Sequence, residues 1–251
     1  VLFHLSALPI ERLKISIMRK LLMERSCKME ETNGKKLLRG EAALALAVLI
    51  NSFGVVLMLY SGAGISAISS VPYAFSRVLP KLSLGTWTYI FQGALILSLM
   101  IMRKKFVPSY LFSFAVGFVF SELLDVHELW INVLPSSLAW RIVYFVISYV
   151  LICIGIALSN RCQLPIVPTD LFPRELADIT KIAYPKIKIG FDVTCLAVTA
   201  GLTFFCLGRI DGLGIGTILA AFTMGKGIGI AGDIIDKRFY FKSFMSKRQQ
   251  A

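Results

Sequence analysis

Apolar residues run along this chain in long blocks rather than at the spacing of a half-buried helix or strand. Six blocks approach the length of a bilayer crossing: Ala42–Tyr60, Thr86–Met102, Pro108–Leu124, Leu138–Leu158, Ile187–Leu207 and Leu213–Ile235. About 20 helical residues span the hydrocarbon. In lipid a lone helix satisfies all of its own backbone groups, which an open strand cannot do. The pattern therefore predicts six transmembrane helices. Two stretches interrupt it, Ser61–Gly85 after the first span and Arg161–Lys186 after the fourth, and both contain prolines.

Each half of the chain thus reads span, interrupted segment, span, short joint, span. The shift that carries Gly54 onto Gly155 also carries Ile65 onto Ile166 and Val71-Pro72 onto Phe172-Pro173. One residue less sets Phe91-Gln92 on Phe191-Asp192. A few more set Ser113-Phe114 on Thr217-Ile218 and Glu122 on Lys226. Three spans is an odd number, so the second unit enters from the opposite side, the inverted repeat common among secondary transporters. The fold expected is an all-α polytopic membrane protein with six transmembrane helices in two inverted three-helix repeats, residues 41–128 and 138–236. A basic segment, 1–40, precedes this membrane domain and a basic tail, 237–251, follows it.

Composition agrees. Of the 251 residues 56% are hydrophobic and 17% charged, and the mean hydropathy is +0.73; soluble domains are nearer a quarter charged. The net charge of +12 is placed between spans, so it reads as membrane orientation and not as a nucleic-acid surface. With both termini on one side, almost all Lys and Arg share that side; Arg77, Lys81 and Arg209 lie opposite, and Arg141 and Lys226 fall within spans. This predicts cytoplasmic N- and C-termini in a cell (inner) membrane. Pro9–Met23 has the pattern of a basic amphipathic surface helix. The downstream Met18, Met23 and Met29 favour an over-long start instead, with the working protein beginning near Met29.

The five cysteines show no CxxC spacing and mostly fall in apolar runs, so neither a disulfide framework nor a zinc site is expected. Gly227–Gly232 matches the letters GxGxxG but follows no strand, which excludes a dinucleotide loop. Hydrolase, metalloprotease and P-loop motifs are absent, so no enzyme, cofactor or metal is expected.

The runs GAGISAISSVPYAFSRVLPKLSLGTWTYIFQGALI (Gly62–Ile96), KIKIGFDVTCLAVTA and GLGIGTILAAFTMG resemble the YitT/YczE-like family of bacterial integral membrane proteins over nearly all of Ala42–Asp233. The resemblance implies an inner-membrane protein and no particular chemistry. It implies more neutral third and sixth spans than Ser121-Glu122 and Gly225-Lys226 give here.

Paired interrupted segments are where a repeat transporter holds its solute. The candidate site residues are therefore Ser66, Ser69, Ser70 and Pro72 in the first segment and Thr169, Asp170 and Pro173 in the second. Gln92, Glu122, Asp192 and Lys226 join them as polar groups within spans, where each charge costs about 2.5–3.5 kcal/mol at the helix centre. Each has a plainer reading. Glu122 and Lys226 form a structural ion pair, or Lys226 snorkels to the interface. Asp192 caps a helix or pairs with Lys188 one turn back. Segment Pro165–Pro185 holds a short surface helix after Pro173. The function expected is a small secondary transporter for a small solute, with the lipid bilayer as surroundings and a homo-oligomer open; the rival is a membrane accessory or scaffold protein.

Overall fold

The computed structural model describes residues 35–243. The expectations for Pro9–Met23 and for a start near Met29 lie outside these residues, as does most of the basic tail. Six helices are long and apolar enough to cross a membrane, and the chain is an all-α polytopic membrane protein. The long helices are α1 (Gly40–Tyr60), α3 (Leu84–Arg103), α4 (Pro108–Ile131), α5 (Leu138–Arg161), α7 (Tyr184–Leu207) and α8 (Ile215–Arg238). Two short helices stand between them, α2 (Ala67–Val78) and α6 (Pro168–Thr180). Most long helices run a few residues past the apolar blocks, and α4 runs seven past Leu124. Backbone hydrogen bonding continues a helix beyond the point where lipid demands apolar side chains.

The bundle is centred on α1 and α5, which make the most extensive helix pair. Glycine allows their close approach. A Cβ on Gly54 would come within 2.8 Å of Ile152 Cγ1, and one on Gly155 would overlap the amide of Asn51. The two contacts mirror each other, because the shift that superposes Gly155 on Gly54 superposes Ile152 on Asn51. Around this pair α4 packs on α1 and α8 on α5. The short helices cross between halves: α2 packs on α7, and α6 packs on α3.

Two joints hold the ends. On the face opposite the termini, the loop after α1 is stitched to the loop before α8. Ile65 N–H donates to Gly212 C=O at 3.2 Å and Gly216 N–H to Ala63 C=O at 3.0 Å. Gly64 has φ +114°, and a Cβ there would strike Thr217 and Gly214, so a side chain is excluded both by backbone conformation and by space. On the terminal face, β1 (Lys36–Arg39) and β2 (Phe239–Lys242) pair in parallel, Leu38 opposite Phe241. Leu38, Phe239 and Phe241 of this pair pack against the core beneath α1 and α5, while Leu37 and Tyr240 stay exposed.

Candidate functional site

The two short helices begin in the interior, not at a surface. Each carries a proline six residues in, Pro72 in α2 and Pro173 in α6. Without an N–H these cannot donate to the carbonyls of Ile68 and Thr169 in the first turn. Each helix nevertheless runs through its proline, so α6 starts at Pro168 and not after Pro173 as the sequence pattern predicts. Each proline therefore forfeits one helical hydrogen bond, and the helix continues through it.

Both N-termini border one cavity. Ser66, Ala67, Ile68 and Ser69 line it from α2, and Val167, Thr169 and Asp170 line it from α6. The shift relating Gly54 to Gly155 carries Ser66, Ile68 and Ser69 onto Val167, Thr169 and Asp170. Asn51 and Val55 of α1 complete the wall with their counterparts Ile152 and Ile156 of α5, together with Phe120 of α4 and Ala220, Ala221 and Met224 of α8. The volume is about 40 Å³. One water occupies about 10–15 Å³ on that measure, so the space admits a few waters or one solute of a handful of heavy atoms.

The last wall is α7, which contributes Lys188 and Asp192. They lie one helical turn apart, and the Lys188 ammonium donates to both Asp192 oxygens at 2.7 Å. Lys188 is 7% exposed and Asp192 3%. Charges this deep persist only when paired. Asp170 differs. Its carboxylate accepts no hydrogen bond and makes no ion pair among the described residues, and it keeps partial access to the cavity. Burial pushes its pKa up to about 6; the neighbouring Asp192 pushes the same way and Lys188 opposes.

A carboxyl whose pKa is raised on folding destabilises the folded state where it is ionised. The stability it withholds returns as pH falls through about 6 toward the ordinary carboxylate range. Asp170→Asn is therefore expected to raise the thermal midpoint at pH 7 by roughly 5 °C. The difference from wild type should shrink on acidification to pH 5. Unfolding curves of both proteins in one detergent at the two pH values check this; an equal gap at both would contradict it.

Of the residues singled out from sequence, the cavity gathers Ser66, Ser69, Thr169, Asp170 and Asp192. Ser70 is fully buried beside it, and its hydroxyl meets that of Thr199 at 2.8 Å, tying α2 to α7. Pro72 and Pro173 are buried within their helices. Gln92 is completely buried against Gly117, next to Pro168, and neither end of its amide has a hydrogen-bond partner among the described residues. It stands outside the lining. Glu122 and Lys226 are exposed on the outer surfaces of α4 and α8. No ion pair joins them among the described residues, and neither lines the cavity. Their helices present other faces to the core, with Phe120 and Leu124 inward on α4 and Met224 and Ile228 inward on α8.

Asn51 was not foreseen. It is 4% exposed, and its Oδ1 has no partner. An asparagine amid aliphatic residues was the available signal. Lys188 entered the reading only as a partner of Asp192.

At the far ends of the short helices sit two further clamps. Arg77 of α2 reaches Asp211 in the α7–α8 joint at 3.1 Å, and Tyr73 hydroxyl donates to the same carboxylate at 3.4 Å. Arg103 at the end of α3 meets Glu175 of α6 at 2.5 Å, and Tyr110 of α4 donates to that carboxylate at 2.5 Å. Each short helix is thus held by an arginine–carboxylate pair with a tyrosine, on opposite faces of the bundle. The described residues hold no cluster of three or more His, Cys, Asp or Glu side chains placed for a metal ion.

A multi-pass helical membrane protein with a small cavity between two helix N-termini is the class that this arrangement defines. The chain belongs to a family of unknown function, DUF6198, whose model matches residues 38–232. The match is to an uncharacterised family and does not carry the YitT/YczE name. No curated protein and no solved structure matches the chain.

Proposed function

We propose that the chain is a small secondary transporter whose solute binds in the cavity between two inverted repeats, in a cell membrane with both termini in the cytoplasm. The observation that carries this is the convergence of two helix N-termini on a mainly apolar cavity into which a few polar groups are set, bordered by a buried Lys188–Asp192 pair. Interrupted helices starting at the middle of the membrane offer free backbone groups to a solute there. A protein that only scaffolds partners has no need of such groups.

Three further features support the reading. The order span, short helix, span, span occurs twice. The packing pairs match between halves, α1–α4 with α5–α8 and α2–α7 with α6–α3. The two arginine–tyrosine clamps lie on opposite faces, where opening one at a time would expose the cavity to each side in turn. Kinship with YitT/YczE-like proteins belongs to the same reading.

Purified full-length protein in liposomes tests it. A panel of labelled small solutes, one anionic, one cationic and one zwitterionic, is expected to include one with saturable, protein-dependent counterflow. That flux should vanish when the Lys188–Asp192 pair is replaced. Failure of all three classes to move would favour the accessory reading over transport.

A further inference from the structure

The two ends of the cavity differ in charge. Ser70 N–H makes the first bond of helix α2, to Ser66 C=O at 3.0 Å. The amides of Ala67, Ile68 and Ser69 before it have no acceptor among the described residues. The Ser66 hydroxyl does not cap them; it donates to Ser69 Oγ at 3.0 Å. Three N–H groups and the positive end of a helix dipole therefore border the cavity unsatisfied. A buried helix end of this kind is completed by a ligand that accepts hydrogen bonds.

The matching end of α6 leaves one amide, that of Thr169, without an acceptor among the described residues. Pro168 has no N–H, the Asp170 N–H bonds to Val167 C=O at 3.0 Å, and the Asp170 carboxylate supplies a negative charge where α2 carries Ser69. Lys188 and Asp192 neutralise each other. Asn51 also lines the cavity, with its Oδ1 turned toward Gly155 and without a partner among the described residues.

We propose that the solute of this cavity is a small zwitterion, with its anionic group on the N-terminus of α2 and its cationic group at Asp170. The inference rests on the cavity being the solute site of the proposed transporter. An anion alone would leave Asp170 facing it uncompensated. A cation alone would face the positive end of α2 and leave three amides unpaired. A zwitterion satisfies both ends, and the cavity volume limits it to roughly the size of the smallest amino acids.

The probe is free glycine, compared with its two halves, acetate and methylammonium, each titrated calorimetrically into the full chain in lipid nanodiscs. Glycine is expected to bind saturably, and each half about tenfold more weakly or worse. Asp170→Asn should lose glycine binding by a similar factor while still showing a cooperative thermal transition. Ser69→Asp, which gives α2 the carboxylate of α6, should lose glycine and gain methylammonium. Acetate or methylammonium binding as tightly as glycine would overturn the proposal. So would no binding of any probe, or glycine binding unchanged in both variants. Glycine binding without flux would overturn the transport reading and leave this one standing. Saturable flux of a singly charged solute without glycine binding would do the reverse.

Discussion

Asp192→Leu is expected to strip the membrane of most folded protein, whereas the double change Lys188→Met with Asp192→Leu restores folding and abolishes solute flux. The pair sits on α7 with both carboxylate oxygens 2.7 Å from the ammonium and with both side chains nearly inaccessible. Removing one partner leaves an uncompensated buried charge, a loss of about 3–5 kcal/mol. That is a large part of a typical stability of about 5–15 kcal/mol. Removing both exchanges a desolvated ion pair for apolar side chains of similar size, which is often neutral or stabilising by about 1–4 kcal/mol. Fluorescence-detected size exclusion and thermal midpoints read the folding; counterflow in liposomes reads the function. A double variant that folds and still transports would reduce the pair to a structural element. Single variants as stable as wild type would mean that the pair is not desolvated in the membrane.

The second large effect is expected at the α1–α5 crossing. Gly155→Leu should prevent the two central helices from meeting, because even its Cβ would overlap the Asn51 amide. Overpacking in a well-filled core costs about 1–3 kcal/mol where side chains can yield. Here the obstacle is a buried amide at the wall of the cavity, so the whole crossing must open. Gly155→Ala is expected to reduce the thermal midpoint less, and Asn51→Ala should rescue it by removing the obstructing amide. Gly190 and Gly229 provide the contrast. A Cβ at either meets nothing within 4 Å, so Ala there should be neutral or stabilise by about 0.5–1 kcal/mol through helix propensity. Equal tolerance of Gly155→Leu and Gly229→Ala in thermal melts would contradict the packing described.

Much of the architecture was legible in the residue order. Six apolar blocks named six helices to within a few residues, except at α4, where Asp125, His127 and Glu128 break the apolar run before the helix ends. The echo of Val71-Pro72 in Phe172-Pro173 pointed to the two interrupted segments, and these hold the helix starts that border the cavity. The spacing of Lys188 and Asp192 announced their pairing, since residues one turn apart share a helix face. The start of α6 lies before Pro173 and not after it, because the helix runs through that proline with the loss of one hydrogen bond.

Glu122 and Lys226 show where such reasoning ends. Sequence sets how deep a residue lies along a span, and both lie within spans. It does not set the direction in which a residue points around the helix axis, and packing turned both to the outer surface while drawing in Asn51, which carries no charge to betray it.

The sequence by itself determined that the chain crosses a membrane, roughly where, and where the apolar runs are interrupted, because the cost of placing each residue in lipid is local and additive. Only the tertiary structure decided that the N-termini of α2 and α6 share one cavity, that β1 pairs with β2 from the other end of the chain, and that Asp170 borders the cavity from one helix end and Ser69 from the other. Those outcomes depend on how close the helices come at Gly54 and Gly155 and on how each is rotated, and these are properties of pairs of segments rather than of any one of them.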